Sequence, residues 1–168
     1  MPDRRDVTDY PSRPADTSQI SSQEPLCTWS EPVLEEWIDY NGHLSEAYYV
    51  LVMGHATDAV MAAVGLGPDY RSATDSSLYT VEAHVRYLDQ VTSEEPLEVR
   101  SWVIGSSTKL IWIWHELWAA GTRRATEEIV GLHVTDSRSA HFPDEVRRRI
   151  DAVVVPPPEE ASRAIRLS

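Results

Sequence analysis

Residues 44–64, LSEAYYVLVMGHATDAVMAAV, carry apolar side chains around most of a helical circumference and contain no proline. Such a stretch predicts one long helix packed inside other structure, because a surface helix would show a polar stripe. Gly65 stands where a helix C′ residue belongs, and Pro68 follows just beyond it. A membrane span would place Glu46, His55 and Asp58 in or near hydrocarbon, at a cost that argues against it.

Past Gly65 the pattern becomes alternating, with β-branched and aromatic residues dominant. It predicts four strands, Leu78 to Leu88, Leu97 to Gly105, Lys109 to Ala119 and Ala125 to Thr135, with GSST and AAGTRR among the turns. A further strand near Leu26 to Glu31 precedes the helix. In LIWIWHELW, alternation sets Ile111, Ile113, His115 and Leu117 on one face and Trp112, Trp114, Glu116 and Trp118 on the other. Both faces then need an apolar neighbour, a demand met by a sheet wrapped around a buried helix and paired with a second copy of itself.

The chain of 168 residues, 42% of them hydrophobic and without an internal repeat, fits one domain. Residues 1–24 are Pro-, Ser-, Asp- and Arg-rich, predicting a disordered tail. Residues 156–168 open on prolines that continue neither helix nor strand, predicting a flexible tail and leaving 25–155 as the folded domain. A formal net charge of −12 excludes a nucleic-acid partner, whose phosphates draw on Lys and Arg, and favours a cationic ligand over an anionic one. No secretory signal pattern is present and Cys27 has no internal partner, so the expected location is cytoplasmic and the expected role of Cys27 is a small core residue.

Candidate chemistry concentrates in WIDYNGHLSEAYY, Trp37 to Tyr49, where Asp39 precedes a glycine turn that opens the long helix. Peptide N–H groups around Gly42 and His43, at the start of that helix, would suit a developing oxyanion, and Gly42 would let the backbone approach a substrate closely. The same Asp also fits a helix cap, and spacing alone does not separate the two roles. Asn41 and His43 are expected to shape the turn or orient Asp39. There is no G-x-S-x-G elbow, Walker loop, H-E-x-x-H or G-x-G-x-x-G after a strand, and no metal site is expected.

The pattern D-x-N-G-H-L with Tyr49 ten residues after Asp39 resembles the signature of 4-hydroxybenzoyl-CoA-type thioesterases of the hotdog fold. Together with GHATDA, YTVEAHVRYL and WHELW, it more narrowly resembles the betainyl-CoA thioesterases of carnitine breakdown, over roughly Trp29 to Asp136. The resemblance implies an α+β hotdog fold, an antiparallel sheet of five to six strands around one central helix, assembled as a homodimer or homotetramer. It implies hydrolysis of an acyl-CoA, with coenzyme A entering only as part of substrate and product and no separate cofactor. Asp39 would attack the thioester carbonyl as nucleophile or activate water as general base.

Ser45 and Glu46 stand where many members of the wider group carry two Asn. Glu46 suits a positively charged substrate, and equally suits a first helical turn, where the dipole makes it worth about 0.3 to 1 kcal/mol. For a trimethylammonium end, Trp37, Tyr49, Tyr79 and Trp112 or Trp114 are candidate cage members, since a cation over such a ring gains roughly 0.5 to 2 kcal/mol. Glu46, Asp58 and Glu82 are candidate counter-charges, and Asn41 a further substrate contact. Arg86, Lys109 and Arg124 are candidates for the coenzyme A phosphates. A thioesterase for a neutral short or aromatic acyl-CoA and a non-catalytic acyl-CoA-binding module are the rival readings.

Overall fold

The computed structural model describes residues 23–92 and 96–161. Residues 1–22 and 162–168, most of the two predicted tails, lie outside it. In chain order the elements are β1 (Cys27–Glu31), a 3₁₀ turn (Glu35–Trp37), α1 (Glu46–Ala63), α2 (Pro68–Thr74), β2 (Ser76–Tyr87), β3 (Leu97–Ser106), β4 (Leu110–Ala119), β5 (Thr122–Thr135), β6 (Arg138–Ser139) and α3 (Asp144–Asp151). The strands form one antiparallel sheet in the order β1-β3-β4-β5-β2, with β6 pairing β5. This is the hotdog arrangement, with α1 lying across β1, β3 and β4.

Each end of α1 has a local cause. Ser45 is extended at the N-cap and Glu46 occupies the first turn, two residues later than the pattern places the start. At the other end Gly65 N–H donates to Ala62 O at 3.1 Å and Leu66 N–H to Met61 O at 2.7 Å, a Schellman closure that turns Leu66 into the core. Between these ends Val52, Met53, Ala56 and Val60 are buried, whereas Val50 and Leu51 are each 42% exposed. The helix is thus covered on one side and bare on another. Pro68 does not merely follow the helix but begins α2, which buries no side chain and so carries no hydrophobic pattern that could predict it.

The two faces of β4 find different neighbours. Ile111 and Ile113 pack with Val60 and Val64, and Leu117 with Val52 and Met53. On the outer face Trp102 and Trp114 pack with Ile104 and Ala161, flanked by Trp112 and Val155. The apolar cover of that face therefore comes from the chain itself, past the residue 155 boundary drawn for the domain. Val155 N–H donates to Val103 O at 2.9 Å, extending the sheet edge where β1 stops. Glu160 accepts from Arg123 Nη2 at 3.0 Å, and Arg123 Nη1 donates at 2.9 Å to the fully buried Glu116. Residues 156–161 are thereby fastened to the sheet instead of leaving it.

Candidate active site

Asp39 sits at the tip of a tight turn before α1. Its N–H donates to His43 O at 2.8 Å, and its carbonyl accepts from Gly42 N–H at 3.0 Å. Gly42 has φ +82°, a left-handed conformation that costs glycine little and most other residues much. The Asp39 carboxylate accepts from Asn41 N–H at 2.8 Å, from Asn41 Nδ2 at 3.3 Å and from His43 N–H at 3.3 Å. These donors, the Asn41 N–H first, hold the Asp39 carboxyl below its ordinary range, so that it is ionised throughout the neutral pH range.

The same geometry corrects the oxyanion assignment. The N–H groups of Gly42 and His43 are spent inside the turn, on the carbonyl and carboxylate of Asp39. Because α1 begins at Glu46, donors without intrahelical acceptors belong to its first turn, and Tyr48 N–H already donates to Ser45 O. Glu46 and Ala47 supply the remaining first-turn N–H groups.

The five aromatic candidates do not converge. Trp37 is buried and stacks on Tyr48 at 5.2 Å, behind the Asp39 turn. Tyr49 is buried too, donating to Asp89 O at 3.3 Å and meeting Tyr87 edge-on at 5.3 Å. Tyr79 is exposed on β2, and Trp112 and Trp114 pack under the C-terminal segment on the face of the sheet away from α1. Strand alternation put both Trp on that face, and the covering segment makes it a core rather than a cage. Among the carboxylates, Glu46 is exposed at the helix start, and Glu82 is exposed beside a bulge in β2, where register shifts between Thr80 and Glu82. Asp58 lines a groove beside α1.

The cationic candidates also lie apart. Arg86 points toward Glu160, with Nη1 at 3.9 Å from Oε2, and Arg124 is paired with Asp89. Lys109 Nζ donates to Ser139 Oγ at 3.3 Å beside the β3–β4 turn, the full length of β5 away from Arg124. Within one chain they form no common phosphate patch. Among the described residues no three His, Cys, Asp or Glu side chains are grouped to hold a metal ion. Burial pushes the Cys27 thiol up, away from the thiolate a nucleophile requires.

A groove of about 540 Å³ runs beside the bare flank of α1, between that helix and strands β2 and β5. Its lining includes His55 and Asp58 from the helix and one residue that the sequence pattern passed over, Glu127. Glu127 is only 3% exposed, and burial pushes its carboxyl up to about 7. It has no hydrogen-bond or ion-pair partner among the described residues. The signal was present in the alternation of Ala125, Glu127 and Ile129, which sets a carboxylate among residues facing the helix. Behind it, His115 is fully buried: Thr57 Oγ1 donates to Met53 O, so His115 Nε2–H donates to Thr57 at 3.0 Å and Nδ1 accepts from Ser101 at 2.8 Å. Desolvation lowers its pKa to about 3, so it is a neutral structural imidazole.

The profile of the thioesterase-like superfamily matches residues 33–150. The chain is 41% identical over 151 residues to a betainyl-CoA thioesterase of Pseudomonas aeruginosa, covering 84% of this chain and 95% of that protein. It is 34% identical to an L-carnitine dehydrogenase/betainyl-CoA thioesterase of Agrobacterium fabrum, of which it spans 33%. In architecture it matches a Staphylococcus aureus protein solved in complex with CoA, with a TM-score of 0.75, 22% identity and coverage of 84% of this chain and 94% of that one, a likeness of fold.

Proposed function

This chain belongs to the thioesterase-like superfamily as a thioester hydrolase, and we propose that its substrate is betainyl-CoA, cleaved to betaine and coenzyme A. The similarity to the Pseudomonas aeruginosa betainyl-CoA thioesterase, which runs through nearly the whole of that protein, carries the choice of acyl group. The Asp39 turn supports the chemistry, because its carboxylate is ionised and already oriented by three donors.

As nucleophile, Asp39 forms a bond to the thioester carbonyl carbon while the C–S bond breaks, coenzyme A leaves as thiolate, and water then cleaves the mixed anhydride. As general base, it takes a proton from water as the water oxygen bonds to that carbon, and passes it to the coenzyme A thiolate as the C–S bond breaks. Both routes consume one water and return Asp39 as carboxylate. A pKa below the ordinary range weakens Asp39 as a base and keeps it charged as a nucleophile. The tetrahedral oxyanion is assigned to the first-turn N–H groups of Glu46 and Ala47, reinforced by the positive end of α1.

The active form is proposed to be a homo-oligomer. β2 is an edge strand whose Tyr79, Val81 and Tyr87 are 49%, 54% and 49% exposed, an edge that pairing with a second copy would cover. A second copy would also bring Arg or Lys side chains to the coenzyme A phosphates. The proposed location is cytoplasmic; no single helix among the described residues is long and apolar enough to cross a membrane.

Thiol release from betainyl-CoA and from its uncharged isostere 3,3-dimethylbutyryl-CoA, with wild type and Asp39→Asn, tests this reading. The expected result is at least tenfold higher kcat/KM for betainyl-CoA, about 1.4 kcal/mol in transition-state binding, and turnover reduced by 10² or more in Asp39→Asn. Equal rates on both substrates would sink the cationic substrate, and undiminished turnover by Asp39→Asn would sink the role of Asp39.

A further inference from the structure

We propose that the groove between α1 and strands β2 and β5 seats the quaternary ammonium end of the acyl group, with Glu127 as its counter-charge and as the residue that selects a cationic over a neutral acyl chain. The inference rests on the betainyl-CoA reading above. A quaternary ammonium has no N–H to donate, so hydrogen-bond acceptors cannot recognise it. It needs apolar walls for its methyl groups and a fixed negative charge within Coulomb range. Val50, Leu51, Met61, Leu78 and Ile129 supply the walls, and no Lys or Arg lies among the lining residues.

Glu127 fits the second requirement because it stands almost wholly out of water yet has no hydrogen-bond or ion-pair partner among the described residues. A desolvated carboxylate without a partner is costly to the fold unless a cation arrives to offset it. The titratable groups around it do not supply that cation. His115 on β4, its cross-strand neighbour, is neutral, and Tyr87 on β2 and Asp58 on α1 carry no positive charge. His55 on α1 is held by Glu31, with Nδ1 at 2.7 Å from Oε1. Gly54 leaves the groove open, since a Cβ there would meet nothing within 4 Å.

The groove begins near the thioester. Val50, at its lower end, lies about 6 Å up the helix from Glu46, where the thioester is placed. In betainyl-CoA a single methylene separates the nitrogen from the carbonyl carbon, so the ammonium end belongs to this lower end of the groove. Glu127 acts there, since after burial it is Glu46 and Glu127 that raise the pKa of Tyr87, whose hydroxyl donates to Glu46 O at 3.4 Å.

The test compares kcat/KM for betainyl-CoA and 3,3-dimethylbutyryl-CoA in wild type, Glu127→Gln and Glu127→Asp. Gln keeps the shape and removes the charge, and turnover of the neutral isostere reports that the variant is folded and its chemistry intact. The expected result is at least a tenfold loss on betainyl-CoA, chiefly in KM, and less than a twofold change on the isostere, with Asp retaining a preference for the cation. Equal losses on both substrates would make Glu127 a structural residue and overturn the assignment. If wild type prefers betainyl-CoA and Glu127→Gln keeps that preference, the Glu127 subsite is wrong while the substrate stands. If wild type shows no preference, the substrate reading fails and this subsite with it.

Discussion

Two buried titratable residues, Glu127 and His115, face each other across β4 and β5 and pull the stability of the fold in opposite pH directions. Glu127 titrates at about 7 in the folded chain against 4.5 when solvated, so its protonated form favours folding below pH 4.5 and that contribution is lost as pH rises to 7. The full shift corresponds to something on the order of 3 kcal/mol. His115 titrates at about 3 against 6.5, so the stability of its neutral form is complete above pH 6.5 and is lost as pH falls toward 3. Glu127→Gln should therefore raise the thermal midpoint at pH 8 and leave it nearly unchanged at pH 4, as followed by circular dichroism. An equal shift at both pH values would show that the gain has another source. On the proposed subsite, KM for betainyl-CoA should rise as pH drops below about 7 while KM for the neutral isostere stays flat, measured by thiol release.

At the scale of elements, the outer face of the sheet depends on a carboxylate chain that pins the C-terminal segment. Glu116 is fully buried, accepts from Arg123 and lies within hydrogen-bond reach of Trp114 Nε1 and Trp118 Nε1 at 3.4 and 3.2 Å. Arg123→Ala removes a charged partner from that carboxylate and its hydrogen bond to Glu160, with an expected loss of roughly 3 to 5 kcal/mol. Glu116→Leu with Arg123→Met should recover most of it, because the buried charge goes with its partner. Urea titration measures both, and tryptophan emission should shift red in Arg123→Ala as Trp102 and Trp114 lose their cover. The β4–β5 hairpin offers a separate gain. Its two central residues, Ala120 at φ +47° and Gly121 at φ +74°, form a turn in which alanine is strained. Ala120→Asn should stabilise the fold by about 0.5 to 1 kcal/mol, read as a higher urea midpoint at unchanged slope.

For the whole molecule, the exposed edge at β2 offers a second copy a strand to pair with, and assembly then decides how a site is shared between chains. Asp39→Asn and Glu127→Gln, co-expressed with different tags, read that out. If both residues of a site belong to one chain, no hybrid site is intact and the mixture shows only the mean of its components in kcat/KM for betainyl-CoA. If a site takes Asp39 from one copy and Glu127 from the other, symmetric pairing makes half of the dimers hybrid, each with one intact site, and the mixture recovers about a quarter of wild-type kcat/KM.

Much of this was legible in the order of residues. The helix, five principal strands, the buried alternation of β4 and the acidic turn at Asp39 are local patterns, and each follows from neighbours within a few positions along the chain. The resemblance in the motif segments pointed to the hotdog fold and to thioester hydrolysis, which the family match and the architecture bear out. What required the folded chain were relations between distant residues. Trp112 and Trp114 became core because residues 155–161 return over them, and the N–H groups of Gly42 and His43 were taken by the turn that presents Asp39. Alternation of Ala125, Glu127 and Ile129 turns Glu127 toward the helix, but only the bare side of α1 leaves a groove in front of it. Alternation along a strand says which way a side chain points, but whether it meets protein, water or an empty groove depends on which other elements pack there, and only the tertiary structure decides that.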